Sequence, residues 1–231
     1  MIELMSALLL MAAAQPGPSE APTGSRLANR PLLGPKLSAK DQAVGAKAMA
    51  DCLYDQNERI ARAALLASSK ESAEKALAVL SGNVRCSRMS ASNDLVEVRV
   101  LAYSSEVLRG MLAERALTKV RPQLAALPVL PLQKIYQRPW FAVTGRHLTV
   151  DEMGACIADI NPAGIAALIL TVPTTPDEGQ AFAALSADMG KCLRAGTKLQ
   201  ANRQSLRAAL AEALFQRLNA PTAPTVEAVK K

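Results

Sequence analysis

Two cysteine pairs with matched spacing constrain this chain more than any other feature. Cys52 and Cys86 lie 34 positions apart, and Cys156 and Cys192 lie 36 apart. The residues around them also match, in the same order. Met49-Ala50-Asp51-Cys52-Leu53-Tyr54-Asp55-Gln56-Asn57 lies against Met153-Gly154-Ala155-Cys156-Ile157-Ala158-Asp159-Ile160-Asn161, with Met, Cys, Asp and Asn identical. Ser69-Lys70-Glu71 corresponds to Thr175-Pro176-Asp177, each a helix N-cap followed by first-turn residues. Arg85-Cys86-Ser87-Arg88 corresponds to Lys191-Cys192-Leu193-Arg194, and Leu108-Arg109-Gly110-Met111-Leu112-Ala113-Glu114 to Leu206-Arg207-Ala208-Ala209-Leu210-Ala211-Glu212. One such match is cheap in an Ala-Leu-rich chain. Four in order, with similar gaps, predict two tandem copies of one structural unit, spanning 38–120 and 148–218.

Each copy reads as a small multi-helix unit, and the expected fold class is mostly α. Aromatic residues make up only 3 % of the chain, while Ala and Leu, which lose little rotamer freedom in a helix, dominate it. Ser38 with Asp41 predicts one helix start, and Thr149 with Glu152 a second. A short helix is expected after Asn57 and after Asn161, where Pro162 suits the first helical position. A third helix follows Ser69 or Thr175, and a fourth carries the Leu-Arg string. Val96-Glu97-Val98-Arg99-Val100 alternates strictly, which predicts a short extended segment near 95–101 that the second copy lacks. Residues 121–147 hold Pro122, Pro128, Pro131 and Pro139 and read as a linker, and 219–231 as a tail.

Residues 4–14 form an apolar run too short to cross a bilayer but long enough for a signal peptide, with Ala12-Ala13-Ala14 as the small-residue cleavage pattern. The n-region lacks Lys and Arg, which is atypical. Residues 15–37 are Pro-rich and read as a flexible leader. Export, an even cysteine count and matched spacing together predict two bridges, Cys52–Cys86 and Cys156–Cys192. In the chain-entropy model each would contribute about 3.5–4 kcal/mol. Zinc binding is not expected, because no two cysteines are close in sequence and His147 is the only histidine. No Cys-x-x-Cys redox motif occurs either.

Catalytic motifs are missing: the chain has no nucleophile elbow and no Gly-rich phosphate loop. No catalytic residue, metal or cofactor is therefore assigned, and His147 reads as a surface or capping residue. Arg109 and Glu114 recur as Arg207 and Glu212. At five positions apart they face different ways on their own helix, so they are expected to bond to loop backbone or to a neighbouring element. Asp55 and Asp159, each two residues before Asn57 or Asn161, suit turn and cap hydrogen bonding. Arg88 and Arg194 complete the polar residues shared by the copies. The linker supplies a candidate binding surface of Lys134, Tyr136, Arg138, Trp140, Phe141 and Arg146, where cations interleave with rings and no acidic residue occurs. The competing reading is that the rings fill the gap between two small units.

Cysteines about 35 apart, followed by Leu-Arg-Ala-Ala-Leu-Ala-Glu-Ala-Leu-Phe at 206–215, resemble a pattern in small, uncharacterised exported proteins of alphaproteobacteria. The resemblance implies an envelope location and carries no activity with it. The net charge of +7 becomes one unit more positive without residues 1–14, which favours salt-sensitive contact with anionic surfaces. The expectation is an exported, periplasmic or extracellular protein with no membrane span after processing. It would act as a non-enzymatic binding or scaffold module of the envelope, with an envelope protein or an anionic polymer, rather than nucleic acid, as partner. A polyanion-binding envelope protein and an envelope enzyme of unidentified activity are the alternatives.

Overall fold

The computed structural model describes residues 38–87, 104–194, 196, 197, 199 and 202–220. The expected signal peptide and leader, the segment near 95–101 and Arg88 lie outside the described residues. Those described form helices joined by loops and turns, with no strand among them.

The first half contains α1 (Ala39–Gln56), α2 (Glu58–Leu65), α3 (Lys70–Ser81), α4 (Val84–Ser87) and α5 (Ser105–Lys119). Two short helices follow, α6 (Arg121–Ala125) and α7 (Phe141–Thr144). The second half contains α8 (Leu148–Ile160), α9 (Pro162–Ile169), α10 (Pro176–Cys192) and α11 (Arg203–Asn219). The caps explain most of these boundaries. Ser38 accepts the Asp41 N–H at 3.1 Å and donates its hydroxyl to the Asp41 carboxylate at 2.6 Å, so one orphan N–H of the first turn is satisfied and the capping side chain is held in place. Ser69 and Thr175 cap α3 and α10 in the same way, accepting from the N–H three residues on. Asn57 and Asn161 both break the chain between two helices in nearly the same conformation, φ −142°, ψ 50° and φ −147°, ψ 63°. Only Asn161 adds a side-chain cap, its Oδ1 accepting from Gly164 N–H at 2.8 Å.

The expected start at Thr149 is displaced. His147 is the cap of α8, its Nδ1 accepting the Thr149 N–H at 3.3 Å. The helix begins earlier because an imidazole nitrogen, like a Ser or Asp oxygen, can take an orphan N–H of the first turn.

α5 and α11 cross at the centre of the molecule. Every residue from Leu206 to Phe215 is buried, as is every residue from Val107 to Glu114, so neither helix has a solvated face in its middle. The close crossing depends on small residues: Gly110 meets Ala208, and these hold the same place in their two matching strings. Around this pair, α1 packs on α5 and α8 on α11. One apolar cluster runs through both halves, from Ala46, Leu53 and Leu65 to Ile157, Leu168 and Phe215.

Both predicted bridges are present. Cys52–Cys86 joins α1 to α4 with Cα atoms 5.6 Å apart, and Cys156–Cys192 joins α8 to the last residue of α10 at 5.7 Å. In the first half the second cysteine lies on α4, past the break at Gly82 and Asn83, and not on the end of the third helix.

Residues 121–147 touch both halves: α6 packs on α9 and α5, α7 packs on α3 and α5, and the stretch between them is tied to the second half. The Leu130 N–H donates to the Asp159 carbonyl at 2.8 Å, the Gln133 N–H to the Tyr136 hydroxyl at 3.1 Å, and Arg217 donates to the Pro128 carbonyl. Tyr136 is buried against Ala155 and Cys156, and Trp140 meets Phe141 edge to face at 4.5 Å.

Candidate functional site

The residues of most chemical interest form two buried ion clusters, one on each side of the α5–α11 crossing. Arg109 on α5 donates from Nε to Glu212 on α11 at 2.9 Å, and its Nη2 reaches the same carboxylate oxygen. Arg207 on α11 reaches back to Glu114 on α5, with Nε and Nη2 at 2.9 and 2.8 Å on the two oxygens. Each arginine therefore bonds to the glutamate of the opposite half. Corresponding residues exchange partners, as they would across a two-fold axis.

The remaining donors of each guanidinium close the C-terminal end of a short helix. Arg109 donates to the carbonyls of Ala64 and Leu65, and Arg207 to those of Ile169 and Thr171. Leu65 and Ile169 are the last residues of α2 and α9, whose final carbonyls have no partner within their own helix. An arginine suits this task because it presents several donors in a fixed fork and stays charged when desolvated.

A second cation and an aspartate complete each cluster, by different means. Lys47 on α1 sits 3.3 Å from Glu114 and 3.0 Å from Asp51. Arg146 comes from the segment before α8 and donates to Glu212 at 2.6 Å, to Asp151 at 3.3 Å and to the Glu106 carbonyl at 2.7 Å. Thr144 donates its hydroxyl to Asp151 at 2.5 Å. Arg207 additionally donates to Glu178 at 2.9 Å, and Glu178 in turn accepts the Thr174 N–H at 2.8 Å. Burial is nearly complete for the arginine–glutamate pairs, with Arg109 1 % exposed and Glu212 0 %, whereas the Lys47 and Asp51 side chains stay 24 % and 27 % exposed. Desolvation pushes Asp151 up to about 6, against the opposing pull of Arg146. Asp51 is raised for the same leading reason, and Lys47 opposes it.

Other predicted residues take different places. Asp55 and Asp159 do not cap. Asp55 binds Arg115 at 2.6 Å and Lys119 at 3.1 Å, and the Arg115 hydrogen bond holds its carboxyl below the usual range. Asp159 lies near Arg138 and Arg217, and burial pushes it up. The cap reading fails because the helix ends leave these side chains facing cations on neighbouring segments. Lys119 and Arg217, at corresponding places late in α5 and α11, were not singled out by sequence; neither were Lys47 and Glu178. The only available signal was a basic residue eleven positions after Leu108 or Leu206. Arg194 pairs with Glu152 at the surface, at 2.9 Å. Of the linker candidates, Lys134 is exposed and Arg138, Trp140 and Phe141 are half-buried, whereas Tyr136 and the Arg146 side chain turn inward.

A cavity of about 40 Å³ opens beside Lys47, Glu114, Glu178 and Arg207, with Pro173 and Thr174 on its wall. It holds a few waters at most and is far below the roughly 300–1,000 Å³ of a small-molecule site. Thr174 takes a left-handed conformation there, φ 63°, a strained backbone for a β-branched residue. Its N–H bond to Glu178 holds it in place. Among the described residues, Ser205 Oγ is the one buried side-chain polar atom without a partner. The cluster groups are thus turned mainly on each other, and Lys47, Glu114, Glu178 and Arg207 also line this small cavity. Comparison with protein-family models, with curated proteins and with solved structures returns no match.

Proposed function

We propose that this chain is an exported protein of the cell envelope that acts as a rigid binding or scaffold module, built from two diverged copies of one helical unit, and not as an enzyme. The observation that carries the reading is the mutual satisfaction of the two buried clusters. The charged groups deepest in the fold spend their hydrogen bonds on each other and on helix ends, which fixes two halves together, and the cavity beside them is too small for a substrate of ordinary size. The exchange of partners between Arg109 and Glu212, and between Arg207 and Glu114, supports the duplication, because a repeated unit packing on its own copy produces reciprocal contacts. Two disulfides with no cysteine left free support export, since such bonds persist in oxidising compartments. The resemblance to exported alphaproteobacterial proteins points the same way. No single described helix is long and apolar enough to cross a membrane.

Cell fractionation with thiol trapping tests the proposal. The expected result is a protein in the envelope fraction whose four cysteines resist alkylation until reductant is added. A cytoplasmic pool with alkylated cysteines would overturn export. Turnover of any envelope substrate that persists when Glu212 is intact and disappears in a stably folded Glu212→Gln variant would overturn the non-enzymatic reading.

A further inference from the structure

The surface feature that the fold leaves unexplained is a proline-punctuated apolar strip, Pro128-Val129-Leu130-Pro131-Leu132-Gln133-Lys134-Ile135. Val129 is 70 % exposed, Leu132 54 % and Ile135 65 %. Exposed leucines are common singly, but three large side chains within seven positions of one extended segment are not. The backbone beneath them is fixed. Leu130 is bonded to Asp159, the Pro128 carbonyl to Arg217, and Gln133 to Tyr136 and Asp159. The side chains are therefore held outward on a tethered backbone and cannot fold back onto the core.

Charge decides what covers such a strip. Lys134 lies between Leu132 and Ile135, is exposed, and makes no ion pair among the described residues. No acidic residue occurs from 121 to 148. A second copy seated on this strip would bring another Lys134 into the same apolar contact, with no carboxylate from residues 121–148 of either copy to pair with it. An anionic lipid surface takes both parts: acyl chains receive the apolar side chains, and head groups receive the cation. We infer that residues 129–135, Lys134 among them, dock this protein on the anionic face of a membrane. The inference rests on the envelope location proposed above, because an exported protein meets such a surface. Docking is peripheral, since the strip is too short to span. Each cation near an anionic surface strengthens partition about fivefold, and each buried Leu or Ile about tenfold or more.

The test is co-sedimentation of the full chain with phosphatidylethanolamine–phosphatidylglycerol vesicles and, separately, with phosphatidylcholine vesicles. Residues 4–14 are themselves apolar, so the readout is the difference between the parent and two variants that keep them. Leu132→Ser combined with Ile135→Ser removes the apolar anchor, and Lys134→Glu reverses the charge. All three residues are exposed, so unchanged thermal melting serves as the folding control. The expected result is preference for the phosphatidylglycerol vesicles and at least a fivefold loss of the bound fraction in each variant. Equal binding of parent and variants, or equal binding to both vesicle types, overturns the inference. So does crosslinking through the strip to an envelope protein with no parent–variant difference on vesicles. If fractionation still places the chain in the envelope, the scaffold reading survives that failure. A cytoplasmic pool with free thiols would sink the reading itself.

Discussion

Gly110 and Ala208 touch at the crossing of α5 and α11: a Cβ built on Gly110 would fall 2.3 Å from the Ala208 Cβ and equally close to its carbonyl oxygen. Part of the obstruction is backbone, so no rotamer change relieves it. Gly110→Ala must push the two central helices apart and is expected to destabilise the protein by about 2–4 kcal/mol, as overpacking at a rigid contact does. Urea unfolding measures it. Ala208→Gly opens no clash and should cost only about 1 kcal/mol, the helix-propensity difference. Similar values for the two variants would refute the close crossing.

Glu212 is the hinge of one ion cluster, serving Arg109 on one oxygen and Arg146 on the other. Glu212→Gln leaves the buried Arg109 guanidinium without a counter-charge and Arg146 with Asp151 alone, and should cost about 3–5 kcal/mol. Replacing Arg109 by Met as well removes that orphan charge, so the double variant should recover part of the loss. A double-mutant cycle by urea unfolding reads the coupling directly. Additive effects would show that the pair does not interact.

Asp151 supplies a pH signature. Its folded value near 6 lies above the ordinary 3.8, so the folded state holds the proton more tightly than the unfolded chain. That contribution is fully present below about pH 3.8 and is lost as pH rises through about 6, a swing on the order of 2–3 kcal/mol. Asp151→Asn cannot titrate. Its unfolding free energy should therefore gain on that of the parent between about pH 4 and pH 7.5, by roughly that amount. A difference that stays constant with pH would refute the assignment. Asp55, held down mainly by Arg115, works in the opposite sense, so the comparison with the variant is the informative measurement.

The Cys156–Cys192 bridge spans 36 positions, and replacing both cysteines by serine should cost about 2–4 kcal/mol. The cost should vanish in a comparison of reduced parent with variant. A persistent gap under reductant would mean that the cysteines contribute by packing and not by the bond.

Sequence by itself determined the helical class, the starts of α1, α3, α9 and α10 and the cysteine pairing. Those rest on short-range or repeated signals: Ser38 and Ser69 need only a nearby N–H to cap, and Pro162 is suited to a first turn wherever the helix packs. Matching of Leu-Arg-x-x-Leu-Ala-Glu strings likewise needs no coordinates. Tertiary structure decided the partners. Helical spacing shows that Arg109 and Glu114 face apart on one helix, but it cannot say that Glu212 waits across the crossing, 103 positions away. Nor does any local signal distinguish Arg146, buried in the cluster, from Lys134 on the surface of the same basic segment. Asp55 and Asp159 read as caps because their sequence neighbours suit turns, and they became ion-pair residues because long side chains from α5, α11 and the linker reach them. A charged side chain carries its own chemistry, whereas its burial and its counter-ion belong to whatever packs against it.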